Sequence, residues 1–315
     1  MNALSIELDN YLAIRRGLGF ALRTDERILR RFVDFASSGE VVHLHRDHFA
    51  RWQANFGNAG RQTWSHRFSV VRQFANWLHA NDQRHEVPPL GLVSHRMHRP
   101  RPYIYSPDEI REIVLAAGNL PSPNGIRRLT YQALFGLIAV TGLRISEALS
   151  LDRADVDLDA GIVNIRRGKL GKQRIVPISE STSLRLRAYA MERDRLMEGK
   201  PVAFFVADNG NRVSDCGARY NFAMVSQEIG LRSAQKFQKH GCGPRIHDLR
   251  HTFAVRTMLN WYRSGMDPAR EMIKLTTYLG HESPVHTFWY IEAVPELLEL
   301  ASQRAEASLE RETRA

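Results

Sequence analysis

The stretch from Val156 to Ile178, VDLDAGIVNIRRGKLGKQRIVPI, decides the fold class of this 315-residue chain. Val156, Leu158, Ile162, Val163, Ile165, Ile175, Val176 and Ile178 are β-type residues in short runs. Turn signals at Asp159-Ala160-Gly161 and Gly168-Lys169-Leu170-Gly171 separate the runs. The reading is a small three-stranded antiparallel sheet. On both sides of it the apolar period is helical, so the sheet interrupts a mainly α chain.

Just upstream, a helix covers roughly Leu129 to Val140, Thr141-Gly142 stops it, and a short helix begins at Arg144. Before that, Ser106-Pro107-Asp108-Glu109 reads as a capping box that opens a helix, with Ser106 as N-cap, Pro107 at N1 and Glu109 at N3. Pro88, Pro89 and Gly91 break the preceding pattern. His95, Arg96, His98, Arg99, Pro100, Arg101 and Pro102 follow as a basic, proline-restricted tether. The first hundred residues repeat at helical spacing. Leu4, Leu8, Tyr11 and Leu12 mark one helix, and Ile28, Leu29, Phe32, Val33 and Phe35 a second. Phe49, Trp52 and Phe56 mark a third; Phe68, Val71, Phe74, Ala75 and Leu78 mark a fourth.

Charge points to a partner. The net charge is +10 and the pI about 9.9, a basic excess that favours a polyanion, with nucleic acid first. Histidines aside, every basic residue before Pro100 is an arginine, the better residue for bidentate contacts to phosphate and guanine. Arg61, Arg67, Arg72, Arg96, Arg99 and Arg101 are the candidate DNA contacts, against the plain reading of a solvated surface. No apolar run approaches the roughly 20 residues of a membrane span. The start, MNALSIELDN, has no signal-peptide pattern. Two cysteines, Cys216 and Cys242, make no disulfide framework, and both are expected to be buried or inert. The expected setting is the bacterial cytoplasm, in association with the nucleoid. His43, His45 and His48, and the pair His95 and His98, lack a matching cysteine or carboxylate set, so no metal is expected.

Four segments carry chemistry. In TGLRISEAL (141–149), Arg144 follows a glycine turn at a helix start, and Glu147 three residues on can hold its guanidinium. Lys172 sits on the second hairpin, where a lysine can swing and donate a proton. In HDLRHTF (247–253), His247 and Arg250 share a helix face while Leu249, Phe253 and Val255 serve the buried side. In the last segment Gly280 ends a helix, His281 stands at that end, and Ser283-Pro284 restarts a helix that carries Tyr290 in its second turn.

These segments, in this order, resemble the tyrosine recombinase or integrase family, the class of phage integrases and Xer-type recombinases. The resemblance spans essentially the whole chain, and its specific motifs lie in the C-terminal two thirds. It implies a catalytic set of Arg144, Lys172, His247, Arg250, His281 and the nucleophile Tyr290. Two rigid guanidiniums can hold the non-bridging oxygens of a phosphodiester, standing where other enzymes place metal ions. A tyrosine hydroxyl titrates near 10 and needs a base or a cationic field. His247 is the candidate base, His281 a phosphate hydrogen bonder, and Lys172 the acid for the departing 5′-hydroxyl. The implied reaction passes through a 3′-phosphotyrosine link without cofactor or ATP.

The resemblance also implies an organisation. Residues 1–98 form a helical, SAM-like, core DNA-binding domain, 99–105 a basic linker and 106–294 a mixed α+β catalytic domain. A tail helix occupies 295–315 and can pack onto its own domain or onto a neighbouring protomer. The implied partners are duplex DNA with inverted-repeat core sites, a tetramer of this chain on that DNA, and an accessory or directionality factor; no membrane is involved. Integration or excision of a mobile element is the first biological reading. The alternatives are Xer-type dimer resolution, a type IB topoisomerase or single-strand resolvase activity, and a non-catalytic DNA-binding accessory protein.

Overall fold

The computed structural model describes residues 3–37, 42–55, 59–93, 101–166, 173–197, 199–233 and 243–314. The chain divides into two compact units, Met1–Pro100 and Arg101–Ala315.

The first unit is helical, with α1 (Ala3–Gly17), α2 (Arg23–Ala36), α3 (Arg46–Asn55) and α4 (Arg61–Asn81). Each helix buries the stripe its sequence period defines: Leu4, Leu8 and Leu12 from α1, Leu29 and Phe32 from α2, Phe49 and Trp52 from α3, and Phe68, Val71 and Phe74 from α4. Phe32 stacks on Phe49 with ring centroids 5.5 Å apart and meets the edge of Trp52 at 5.0 Å. Such aromatic pairs add to the apolar burial. Phe56, expected on the third helix, lies outside the described residues.

The second unit begins with α5 (Pro107–Ala117), and the expected capping box is in place. The Ser106 hydroxyl accepts the Glu109 N–H at 3.1 Å, and the Glu109 carboxylate accepts the Ser106 N–H at 2.6 Å. Next come α6 (Ile126–Thr141), α7 (Ile145–Ser150), one 3₁₀ turn (Arg153–Asp155) and the strands β1 (Val156–Asp157), β2 (Ile162–Ile165) and β3 (Arg174–Pro177). The sheet is antiparallel in the order β1-β2-β3, with Val156 opposite Val163 and Ile165 opposite Arg174. The second turn and Lys172 lie outside the described residues. The chain then forms α8 (Glu180–Leu196), α9 (Asp215–Glu228), α10 (Ile246–Arg263), α11 (Pro268–Leu279), α12 (Val285–Ala293) and α13 (Pro295–Arg314).

Helix α6 is apolar on most of its circumference because α5, α8 and α10 all pack on it. A separate apolar cluster joins α10, α11, α12 and α13 through Val255, Met258, Leu275, Tyr290 and Leu297. The tail helix therefore packs onto its own chain: Leu297 is fully buried, and Arg263 donates to Glu296 at 2.6 Å. Two details depart from the sequence reading. Cys216 is exposed, because it sits in the first turn of α9, off the face that carries Ala218 and Phe222 inward. Helix α12 starts at Val285, whose N–H is accepted by the Ser283 hydroxyl at 3.3 Å, so the helix follows Pro284. Among the described residues no helix is long and apolar enough to cross a membrane.

Candidate active site

The site is built where α6, α10 and α11 end or begin against one another. Gly142 closes α6 in the left-handed region at φ 63°. A Cβ there would stand 2.6 Å from the Phe253 ring, so only glycine fits this turn. The turn hands the chain to Arg144, the extended residue that caps α7. Glu147 then lies one turn on, with its carboxylate accepting the Arg144 N–H at 3.0 Å and the Arg144 guanidinium at 2.8 Å.

Glu147 is 1% exposed and also takes both terminal nitrogens of Arg174, at 2.9 and 2.7 Å. Burial alone would raise its pKa. The Arg174 and Arg144 guanidiniums outweigh burial and hold it at about 2. The sequence reading placed Arg144 and Glu147 together but did not single out Arg174. Its signal is faint: a basic residue at the start of a strand is usually solvated.

Three arginines converge on one helix end. Arg174 donates to the Tyr278 carbonyl at 2.8 Å, Arg250 to the Leu279 carbonyl at 2.7 Å, and Arg144 to the Gly280 carbonyl at 2.8 Å. These consecutive carbonyls are among the orphan acceptors at the C-terminus of α11, where the helix dipole also favours cations. Arg250 donates its other arm to the Gly142 carbonyl at 2.7 Å, which ties the ends of α6 and α11 together. It is 1% exposed; burial, followed by Arg144, lowers its pKa to about 10, so it stays charged at neutral pH.

His247 stands one turn before Arg250 on α10, as its spacing predicts. Burial and then the Arg250 charge push its pKa down to about 4, so the ring is neutral at pH 7. His281 follows the α11 cap, and its Nδ1 lies 2.7 Å from the Thr287 hydroxyl. Thr287 is fully buried and lies 3.1 Å from the Thr276 hydroxyl, which donates to the Met272 carbonyl. Two threonines on facing helices thus orient His281, and no sequence pattern announces them.

Tyr290 is 1% exposed in the cluster of α10, α11 and α13. Its hydroxyl lies 2.9 Å from Nδ1 of His251. The sequence reading expected His247 to serve this hydroxyl. The structure sets His251 against it, with the His247 ring edge-on to His251 at 4.6 Å. The two histidines are one turn apart on the same face of α10, and the packing of α12 decides which one meets Tyr290. The His281 ring is 6.5 Å from the Tyr290 ring. The described residues therefore bring together Arg144, His247, Arg250, His281 and Tyr290; Lys172 lies outside them.

Of the candidate DNA contacts, Arg61 and Arg101 are exposed, and Arg72 is half-buried. Arg67 lies over the Trp64 ring at 4.7 Å. Arg96 and Arg99 lie outside the described residues. Elsewhere in the first unit Arg16 pairs with Glu26, and Arg30 with Glu26 and Asp9.

One group of three metal-type ligands occurs among the described residues, His43, Asp82 and His85. It differs from the histidine set noted in the sequence. His85 Nδ1 accepts the Leu44 N–H at 3.2 Å, so in its neutral ring Nε2 carries the proton and has no lone pair for a cation. His43 Nε2 is engaged with Asp82 at 3.2 Å. The group reads as a hydrogen-bonded tie between the loop before α3 and the end of α4.

Arg144 and Arg250 rest on the carbonyls at the end of α11, His251 stands against the Tyr290 hydroxyl, and the His281 ring lies 6.5 Å from the Tyr290 ring, an arrangement of cations and histidines near one tyrosine. Residues 105–296 match the model of the phage integrase family, and the chain belongs to that family: it is a site-specific tyrosine recombinase that transfers DNA strands. It is 38% identical to y4rB of Sinorhizobium fredii, described provisionally as an integrase/recombinase, over 99% of this chain and 100% of that one. It is 29% identical to the tyrosine recombinase XerC of Syntrophus aciditrophicus, over 70% of this chain and 66% of that one. The fold matches the Tn1549 transposon integrase, solved in complex with transposon right-end DNA, with a TM-score of 0.67, 15% identity and 99% of each chain covered.

Proposed function

We propose that this recombinase integrates or excises a mobile element by cutting and rejoining duplex DNA at inverted-repeat core sites, through a 3′-phosphotyrosine link to Tyr290. The observation that carries the reading is the convergence of Arg144 and Arg250 on the carbonyls of Leu279 and Gly280, beside His281 and Tyr290. Guanidiniums that rest on neutral carbonyls can exchange them for anionic phosphate oxygens at a net gain. Charge that develops on those oxygens during in-line attack then meets preorganised donors.

His247, neutral and one turn from Arg250, is suited to hydrogen-bond the phosphate, and His281 approaches from the end of α11. Lys172 donates the proton to the departing 5′-oxygen. The phosphotyrosine link conserves the energy of the broken bond, so a free 5′-hydroxyl can reverse the step on a partner strand. Exchange of both strands needs four subunits on DNA. An accessory or directionality factor acts on top of this core. The exposed arginines Arg61 and Arg101, with Arg67, Arg72, Arg96 and Arg99, bind the duplex. The domains follow the same reading: 1–98 grips the core site, 99–105 tethers, 106–294 carries the chemistry and 295–315 is the tail.

The mobile-element role is supported by the match along the full length of y4rB and by the likeness to a transposon integrase. Dimer resolution is the second reading, supported by the XerC match. Nicked suicide DNA carrying the repeats that flank the gene tests the proposal. The wild type forms a covalent adduct that Tyr290→Phe abolishes, and plasmids with two such sites recombine. No adduct on any flanking repeat overturns the proposal; adducts only on a chromosomal resolution site favour the second reading.

A further inference from the structure

Two histidines on one face of α10 compete for the role of base, and the packing separates them. His251 Nδ1 lies 2.9 Å from the Tyr290 hydroxyl, within the range from which a base takes a proton. The imidazole is 5% exposed, and the Asp248 carboxylate stands 4.0 Å from its far nitrogen, Nε2. Asp248 is itself held in place, accepting the Arg245 N–H at 2.7 Å as part of the α10 cap. A carboxylate beside Nε2 favours the tautomer with its proton there. That leaves the Nδ1 lone pair directed at the tyrosine hydroxyl. The order carboxylate, imidazole, hydroxyl is the arrangement by which a base is oriented toward a weak nucleophile.

We infer that His251, rather than His247, takes the proton from the Tyr290 hydroxyl as it attacks the DNA phosphodiester. The inference rests on the proposed role of Tyr290 as nucleophile. In the forward step the tyrosine O–H bond breaks, its proton passes to His251 Nδ1, the phenolic oxygen bonds to phosphorus, and the P–O5′ bond breaks. The 5′-oxygen leaves with a proton from the general acid assigned to Lys172. In the reverse step an incoming 5′-hydroxyl gives its proton back to Lys172 as its oxygen bonds to phosphorus, the phosphorus–tyrosine bond breaks, and the tyrosine regains its proton from His251. Three titratable groups meet His251: His247 edge-on at 4.6 Å and Asp248 at 4.0 Å from its own helix, and the Tyr290 hydroxyl at 2.9 Å from α12. His247, with its pKa near 4, is a poor acceptor for a phenolic proton. Its place one turn from Arg250 suits it to the phosphate instead.

The test is single-turnover cleavage of suicide DNA by the full-length chain. His251→Gln keeps a hydrogen-bonding side chain of similar size but removes the base, and its expected loss is about 10²–10⁴-fold, the usual worth of a general base. DNA binding and thermal melting of the variant report whether it is folded. Two readouts separate a base from a structural residue. Site-specific fluorotyrosine at position 290 makes the phenol more acidic, so the His251→Gln defect shrinks on that background. A substrate with sulfur at the 5′-bridging position needs no acid for its leaving group. It rescues Lys172→Ala and leaves His251→Gln slow. Cleavage by His251→Gln at the wild-type rate overturns the inference. So does fluorotyrosine relief of His247→Gln in place of His251→Gln, which would return the base to His247. A wild type that forms no adduct instead overturns the underlying role of Tyr290.

Discussion

Arg174 grips Glu147 with both terminal nitrogens, Nη1 to Oε1 at 2.9 Å and Nη2 to Oε2 at 2.7 Å, while its Nε holds the carbonyl of Tyr278. The pair links the sheet to α7 and to the end of α11, the segment that presents His281. Glu147 is thereby shared, so Arg144 is oriented without being the sole counter-charge of a buried carboxylate.

Removing Arg174 should therefore act on stability and on the site together. Breaking a buried pair by deleting one partner costs about 3–5 kcal/mol. The Arg144 contact that remains places Arg174→Met at the lower end of that range. Urea unfolding measures the loss, and cleavage of suicide DNA under folding conditions should fall as well. Arg174→Lys should restore charge without the fork, recovering part of the stability and less of the cleavage.

Glu147 should give the protein a distinct acid limb. Its pKa is about 2 in the fold against 4.5 in its absence. A depressed carboxylate stabilises fully above its unfolded pKa and loses that contribution as pH falls toward the folded one. The loss should run from about pH 5 to about pH 2 and amount to roughly 3 kcal/mol. Urea midpoints between pH 5 and pH 3 should fall more steeply for the wild type than for Glu147→Gln, which is less stable at neutral pH. Equal slopes would show that this carboxylate is not held low.

Gly280 is required by conformation and by space. It sits at φ 64°, and a Cβ on it would stand 2.8 Å from Nη1 of Arg174. The arginine end is flexible in principle, but its hydrogen bonds to Glu147 and Tyr278 keep it from yielding. The left-handed conformation alone costs an alanine roughly 1–2 kcal/mol. Gly280→Ala should lower the melting temperature and slow cleavage through the displaced Arg174 and His281. A variant as stable and as fast as the wild type would contradict the clamp.

The tail helix gives a fourth prediction. Leu297 is fully buried in the cluster that contains Tyr290, and Arg304 donates to the Met266 carbonyl at 2.8 Å. Leu297→Ala should destabilise the isolated chain by about 2–5 kcal/mol, as buried leucine truncations do. The loss should not depend on protein concentration, because the contact lies within one chain. Truncation after Val294 should reduce or deregulate cleavage while leaving DNA binding largely intact. Cleavage and strand exchange unchanged in the truncation would separate the tail from Tyr290.

Much of this protein is legible in its residues alone. The β-type runs between Val156 and Ile178, the capping box at Ser106, the glycine stops at Gly142 and Gly280, and the spacing of His247 and Arg250 are local properties. Backbone preference and helical period determine them. Of the candidate site, Arg144, His247, Arg250, His281 and Tyr290 are named by their order and spacing, while Lys172 lies outside the described residues. Contacts between elements distant in the chain were decided only by the tertiary structure. His247 and His251 stand four residues apart on one helix face, so their spacing treats them alike. The packing of α12 on α10 sets the Tyr290 hydroxyl against His251. Arg174 reads as an ordinary strand residue until the end of α11 is folded against it. Thr287 and Thr276 acquire their role under His281 only when α11 and α12 face each other. Helical period selects a face; packing between helices selects the partner on it.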